Sequence, residues 1–205
     1  MKIKQIVLAT AAASALLASS SVFAIGASQG WYLAGQLGGA FNNLPSSQSG
    51  VKISSNDFAW GVNGGYNYQL QSSRFLIGGE IGINGLGSNS ATPPASSKNT
   101  DTYYAVNFLG TATYAQQLGQ NDSKVYVWAE TGPSLAWTTA STSIAGESFA
   151  NSESTMAWVL GAGLGYEWNK WNVFVRYDHY FGDNFAPGFK FPKINAVFGG
   201  ISYTF

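Results

Sequence analysis

The chain has 205 residues, no cysteine and no formal net charge; only 10% of it is charged while 15% is aromatic. A typical soluble domain carries about 25% charged residues, so a surface this poor in charge argues against an ordinary water-soluble globule. With no cysteine and one histidine, His179, neither a disulfide framework nor a closed zinc site can be assembled, and no metal or cofactor is expected.

At the start of the chain, Lys2 and Lys4 precede an Ala-rich apolar run over residues 6–17 and the small-residue ending Val22-Phe23-Ala24. This pattern predicts a signal peptide over residues 1–24, exported through the Sec pathway, because the apolar stretch is too short to anchor in a membrane. Residues 25–205 are expected to form one domain. Without Lys2 and Lys4 it carries eight basic and ten acidic residues, a net charge of about −2, which excludes the clustered basic footprint of a nucleic-acid binder.

Beyond the leader no apolar run approaches the length of a spanning helix. What recurs instead is period-two alternation, the mark of a strand with two unlike faces. The first predicted strand covers residues 31–41, with Trp31, Leu33, Leu37 and Phe41 on one face. The second, 57–68, sets Phe58, Trp60, Val62, Tyr66 and Tyr68 against Asp57, Asn63 and Asn67. In the third, 74–85, Phe75, Ile77, Ile81 and Ile83 oppose Arg74, Glu80 and Asn84. The fourth, 102–115, opposes Tyr104, Val106, Phe108 and Tyr114 to Asn107, Thr111 and Thr113. The fifth, 124–137, opposes Val125, Val127, Leu135 and Trp137 to Trp128, Glu130 and Ser134. The sixth, 154–168, puts Met156, Trp158, Leu160, Leu164, Tyr166 and Trp168 together. The seventh, 171–181, opposes Trp171, Val173, Val175 and Tyr177 to Asn172, Arg176 and Asp178. The last, 195–205, aligns Val197, Ile201, Tyr203 and Phe205.

The connections alternate. Residues 42–56, 86–101, 138–153 and 182–192 are long; 69–73, 116–123 and 169–170 are short. Strict alternation predicts an all-β, eight-stranded antiparallel up-and-down barrel with both ends of the chain on the short-turn side. Its polar face is mostly Gly, Asn, Thr and Ser, which suits a narrow lumen; a soluble barrel would present Lys and Glu to water instead. The apolar face is therefore assigned to lipid, and the barrel is transmembrane. The aromatics sort to strand ends. Trp31, Tyr66, Tyr68, Phe75, Tyr114, Trp168, Trp171, Tyr203 and Phe205 define one girdle, and Phe41, Phe58, Trp60, Tyr104, Trp137 and Trp158 the other, about 25 Å away.

Gly161 to Trp168 (GAGLGYEW), Phe174-Val175-Arg176-Tyr177 and the ending Ile201-Ser202-Tyr203-Thr204-Phe205 resemble the small eight-stranded bacterial outer-membrane barrels, the OmpA/OmpX-like, opacity-like and porin-family surface proteins. The resemblance spans residues 25–205. It implies a monomeric barrel in the outer membrane of a Gram-negative bacterium, in contact with outer-membrane lipid and lipopolysaccharide. It also implies that Tyr203 and Phe205 form the signal read by the barrel-assembly machinery. No cell-wall tether is implied after Phe205.

The residues that carry chemistry are few. Gly161, Gly163 and Gly165 lack the spacing and the strand–turn–helix context of a phosphate loop, and parity puts all three on the lumenal face beside large side chains. His179 has no serine two residues on, since position 181 is Phe, and Asp178 and Tyr180 point away from it. No catalytic constellation is expected. In the last long loop, Phe185, Phe189, Lys190 and Phe191 are expected to pack over the barrel mouth or against lipopolysaccharide; the alternative is a surface contact for an extracellular ligand. Inside the barrel, parity directs Arg176, Glu80, Glu130, Asp178 and Gln36 to one depth, which predicts an ion-pair network with Arg176 at its hub. Pro133, without an N–H, predicts a bulge or a missing rung at Gly132-Pro133. Tyr32, Tyr103, Tyr126, Trp128, Phe174, Tyr180 and Phe198 all point inward and would plug the lumen. The expected function is a non-enzymatic surface barrel, for envelope integrity or contact with host or environment. A narrow pore and a lipid A-modifying enzyme are the alternatives.

Overall fold

Alternating residues send their side chains to opposite faces, so a sheet with one apolar and one polar face must hide one of them. A computed structural model describes residues 26–42, 52–56, 58–71, 73–92, 97–118, 123–144, 147–182 and 192–205. Among these are nine strand segments: β1 (Gly30–Asn42), β2 (Lys52–Asn56), β3 (Phe58–Gln69), β4 (Phe75–Thr92), β5 (Ser97–Gln117), β6 (Ser123–Ile144), β7 (Glu147–Trp168), β8 (Trp171–Phe181) and β9 (Ile194–Thr204). Each pairs antiparallel with its neighbour, and β9 returns to β1 through Leu33↔Tyr203 and Leu37↔Gly199, closing the cylinder. β2 lies on the outer end of β4 at Asn56↔Ser88, just past the last β3 rung at Trp60↔Gly85. The two segments thus occupy one wall position, and the barrel has eight.

Its sides are inverted relative to a soluble protein. Leu37 is 61% exposed and Ile201 56%, whereas Arg176 is 0% exposed and lies inside. A closed barrel leaves no unpaired edge in the hydrocarbon, which is why this sheet can carry an apolar exterior. Cross-strand aromatic pairs form the periplasmic girdle: Trp31–Tyr66 and Phe75–Tyr114 at 5.2 Å, and Trp171–Tyr203 at 5.0 Å. Tyr104 stacks on Trp137 in the outer girdle. From Trp171 to Phe181, a tilted strand climbs about 25 Å, the height of an apolar membrane band.

The short turns hold by local bonding. Asn169, with φ of 57°, turns β7 into β8; Asn is one of the few L-residues at ease in the left-handed region. At the outer end of β4 the register with β5 slips between Gly85 and Ser88, and Gly87 takes the bulge with φ of 83°.

One sequence expectation is corrected here, and the expectation at Pro133 is met. The described parts of 86–101 and 138–153 are strand, not loop: the β4–β5 ladder runs out to Ala91↔Asn99 and the β6–β7 ladder to Ile144↔Glu147. Part of the first long connection is strand too, as β2. Ser, Thr and Ala recur in the sequence there, so the apolar alternation fades while the backbone pairing continues. At Pro133 the structure has a missing rung rather than a bulge. Pairing with β5 stops at Asn107↔Ser134 and resumes at Gly110↔Thr131 in unchanged register, and the β7 side stays regular at Pro133↔Trp158. The predicted signal peptide 1–24 and the loop residues Phe185, Phe189, Lys190 and Phe191 lie outside the described residues.

Candidate functional site

The lumen is filled in layers. All seven aromatics directed inward by parity are buried, and they fall into two apolar clusters. Tyr32, Tyr126, Trp128 and Phe174 lie in the periplasmic one, Tyr103, Tyr180 and Phe198 in the outer one.

Between them sits the charge cluster. Arg176 Nη1 donates to Glu80 Oε1 at 2.6 Å, and Arg176 Nε donates to Asp178 Oδ1 at 2.8 Å. Glu130 Oε1 lies 2.7 Å from the same Nε. The Nε hydrogen is aimed at Asp178, so Glu130 meets the guanidinium as a charge. The carboxylates are held in turn: Tyr32 OH donates to Glu80 Oε2 at 2.6 Å and Trp128 Nε1 to Glu130 Oε2 at 2.9 Å. Three carboxylates surround one guanidinium, all fully enclosed. Arg176 Nη2 and Asp178 Oδ2 have no protein partner among the described residues; they have the valences that buried water satisfies.

Gln36 does not join this cluster. Its Nε2 donates to Asn84 Oδ1 at 2.9 Å, in a layer continued by Asn107 Nδ2 donating to Tyr180 OH at 2.9 Å and Ser134 Oγ to Asn107 Oδ1 at 2.7 Å. The cause is stagger. A rung perpendicular to the strands links Tyr32, Gly65 and Glu80, and another links Gln36, Gly61 and Asn84. Closing a barrel shears its strands, so equal counts from the rim do not mean equal rungs.

Glycine makes these rungs work. At several rungs two large lumenal side chains flank a strand whose residue has none. Gly161 lies between Glu130 and Asp178, and a Cβ there would fall 2.5 Å from Glu130 Oε1 and 2.6 Å from Asp178 Oδ1. A Cβ on Gly163 would fall 2.2 Å from the Trp128 ring, and one on Gly165 2.4 Å from Tyr126. The Gly161-x-Gly163-x-Gly165 run is therefore room for neighbours.

A second lumenal cluster escaped the sequence reading. Residues 26–28 tuck into the periplasmic mouth: Ala27 N donates to Glu167 Oε2 at 3.0 Å, Ser28 Oγ donates to Glu167 Oε1, and Asn67 Nδ2 donates to the Gly26 carbonyl at 3.1 Å. Lys124 Nζ reaches Ser28 Oγ at 2.6 Å and Glu167 Oε1 at 3.5 Å. Alternation along β7 directs Glu167 inward, but its partner is a coil segment with no alternation to read. Glu167→Ala is expected to free this segment and cost about 1–3 kcal/mol. Faster proteolysis before Trp31 in detergent, with the barrel ladder still protected from hydrogen exchange, checks it.

On the lipid side His179 has a partner that parity along β8 missed. Asn195, opposite it on β9, has its Oδ1 2.7 Å from His179 Nδ1 and accepts from Tyr177 OH at 2.7 Å. Among the described residues no group of three or more His, Cys, Asp or Glu is arranged to hold a metal.

A closed eight-stranded sheet with a lipid-facing exterior, paired girdles and a polar, packed lumen defines a transmembrane β-barrel. The chain belongs to the outer membrane protein β-barrel domain family, whose model matches residues 9–205. It is similar in structure to Neisserial surface protein A (17% identity, 88% of this chain and 100% of that one, TM-score 0.45). It is also similar to Ail, the attachment invasion locus protein of Yersinia pestis (18% identity, 87% and 100%, TM-score 0.45). A third similar structure is the N-terminal barrel of Pseudomonas aeruginosa OprF (12% identity, 86% and 98%, TM-score 0.40). No curated protein matches the chain.

Proposed function

We propose that the protein is a non-enzymatic barrel of a Gram-negative outer membrane that meets the cell's surroundings through a sheet raised above the bilayer. The carrying observation is the overrun of the strands. β6 and β7 are each 22 residues long; at roughly 3.3 Å per residue that is about 70 Å of chain, where about 9–11 residues suffice to cross a membrane. Beyond the Trp137↔Ser154 rung the excess is rich in Ser, Thr, Ala and Asn. β8 pairs with β7 only from Phe181↔Trp158 inward, so residues 147–157 of β7 have no second strand partner among the described residues. Such an edge is a template for an added extended segment.

The two apolar layers and the charge cluster between them weigh against a pore, since an eight-stranded lumen is only wide enough for its own side chains. His179, hydrogen-bonded to Asn195 and flanked across the strands by Leu160 and Asn195, has no serine partner among the described residues, which weighs against an enzyme. On this reading the chain reaches its place through the Sec pathway and the assembly machinery, with β9 as the recognised strand. There it stands as a monomer among lipid and lipopolysaccharide.

The test is a shortened hairpin in which residues 139–152 are replaced by Asn-Gly. Cells displaying it should lose adhesion to host-cell layers and to abiotic surfaces while the purified barrel keeps its heat-dependent gel shift. Unchanged adhesion overturns the contact role. Stable single-channel conductance, or an altered lipid A mass spectrum in expressing cells, overturns the non-enzymatic, non-pore reading.

A further inference from the structure

The lipid-facing belt around β8, β9 and β1 is built of exposed Val175, Val197, Ile201 and Leu37. Polar side chains are costly in such a belt, yet three of them meet at its outer end. Tyr177 and His179 share the outward face of β8, and Asn195 lies opposite His179 on β9. Asn195 Oδ1 accepts from Tyr177 OH and lies 2.7 Å from His179 Nδ1. A carboxamide oxygen only accepts, so Nδ1 carries the hydrogen of that contact. This fixes the rest of the chemistry: His179 Nε2 and the Asn195 Nδ2 amide have no partner among the described residues. The Phe181 ring packs edge to face on the imidazole at 4.5 Å and holds it in place. Lys193, exposed, stands one residue before β9 and adds a cation at the same corner. The level is that of the outer girdle, since Phe181 is opposite Trp158 and Phe41 is opposite Asn195.

Two outward steps below Asn195, past Val197, the wall is hollowed. A depression of about 620 Å³ is bordered by Gly35, Leu37, Trp60, Val62, Gly199 and Ile201. A Cβ on Gly35 or Gly199 would meet nothing within 4 Å. Crowding by the chain itself therefore does not require glycine at either place, unlike Gly161 or Gly163.

A cation and an amide donor at headgroup level, with an apolar hollow beneath them on the same strand, match one kind of molecule. We propose that this face is a binding site for a phosphate-bearing lipid of the outer leaflet. Lys193 and the Asn195 amide hold the phosphate, His179 orients Asn195 through its Nδ1–H, and one acyl chain lies in the hollow over Gly35 and Gly199. The phosphate can belong to a phosphoglycolipid such as lipid A or to a glycerophospholipid. The proposal rests on the outer-membrane placement and not on the adhesive role, so adhesion and lipid retention fail separately.

Native mass spectrometry of the full barrel released from detergent tests it, with lipid A, phosphatidylglycerol and phosphate-free diacylglycerol as probes. Lipid A or phosphatidylglycerol adducts should survive where diacylglycerol adducts do not, and which of the two survives identifies the source. Lys193→Ala with Asn195→Val should weaken retention at least about tenfold, as expected for losing charge-assisted bonds. Gly199→Leu should do so independently by filling the hollow, with the gel shift of both variants intact. Equal retention of diacylglycerol, or parental retention in either variant, overturns the proposal.

Discussion

Replacing Arg176 by methionine is expected to destabilise the barrel by roughly 3–5 kcal/mol. The guanidinium contacts Glu80, Glu130 and Asp178 at 2.6, 2.7 and 2.8 Å, and none of these groups reaches solvent. Methionine matches much of the arginine volume, so the loss is not one of packing; it comes from stranding three acids in a closed lumen. Neutralising the acids together with the base relieves that penalty, because the cost of the single change lies in leaving buried charges unpaired. Arg176→Met combined with Glu80→Gln, Glu130→Gln and Asp178→Asn should therefore regain most of the loss. Urea unfolding in detergent micelles reads both. A single variant that melts at the parent's midpoint removes Arg176 as the hub.

The wall of this barrel was readable where side chains differ by face. In β8, Val173, Val175 and Tyr177 alternate with Phe174, Arg176 and Asp178, and the strand ends match the expected 171–181. β6 shows the limit. From Thr138 to Ile144 the residues are Ser, Thr and Ala with one Ile, so neither face is marked, although the ladder continues to the Ile144↔Glu147 rung. Backbone pairing propagates a hairpin without needing a hydrophobic face, and period-two reading does not register it. The lumen was legible in the same uneven way. Direction is a local property: Arg176, Glu80, Glu130 and Asp178 are inside because of their parity. Depth is a property of closure. The shear that pairs Tyr32 with the Glu80 rung and Gln36 with the Asn84 rung is set by eight strands meeting edge to edge, and no single strand encodes it. Tyr32 and Trp128, read only as fillers of the lumen, turn out to hold the carboxylates. The His179–Asn195 contact was hidden for a related reason, since its members lie on separate strands and become neighbours only through the β8–β9 register.

Arginine in place of Val175 is expected to cost about 2–4 kcal/mol in a lipid bilayer. Val175 is 51% exposed, faces outward, and sits between Leu164 and Gly199 near mid-height in the apolar band. If water bathed this face, a half-exposed valine would tolerate the change, since surface substitutions stay within about 0.5 kcal/mol. In hydrocarbon the guanidinium must shed water or drag a defect inward, and neither girdle is close enough for the side chain to reach without bending the membrane. The penalty should fall with depth. Val173→Arg, one outward step nearer the Trp171–Tyr203 girdle, should cost less because its charge can snorkel to the headgroups. Urea titrations of the barrel in phospholipid vesicles measure the pair. Val175→Arg with parental stability would contradict a lipid-facing wall at this height. Equal costs at 173 and 175 would contradict the tilt and depth that the girdles assign.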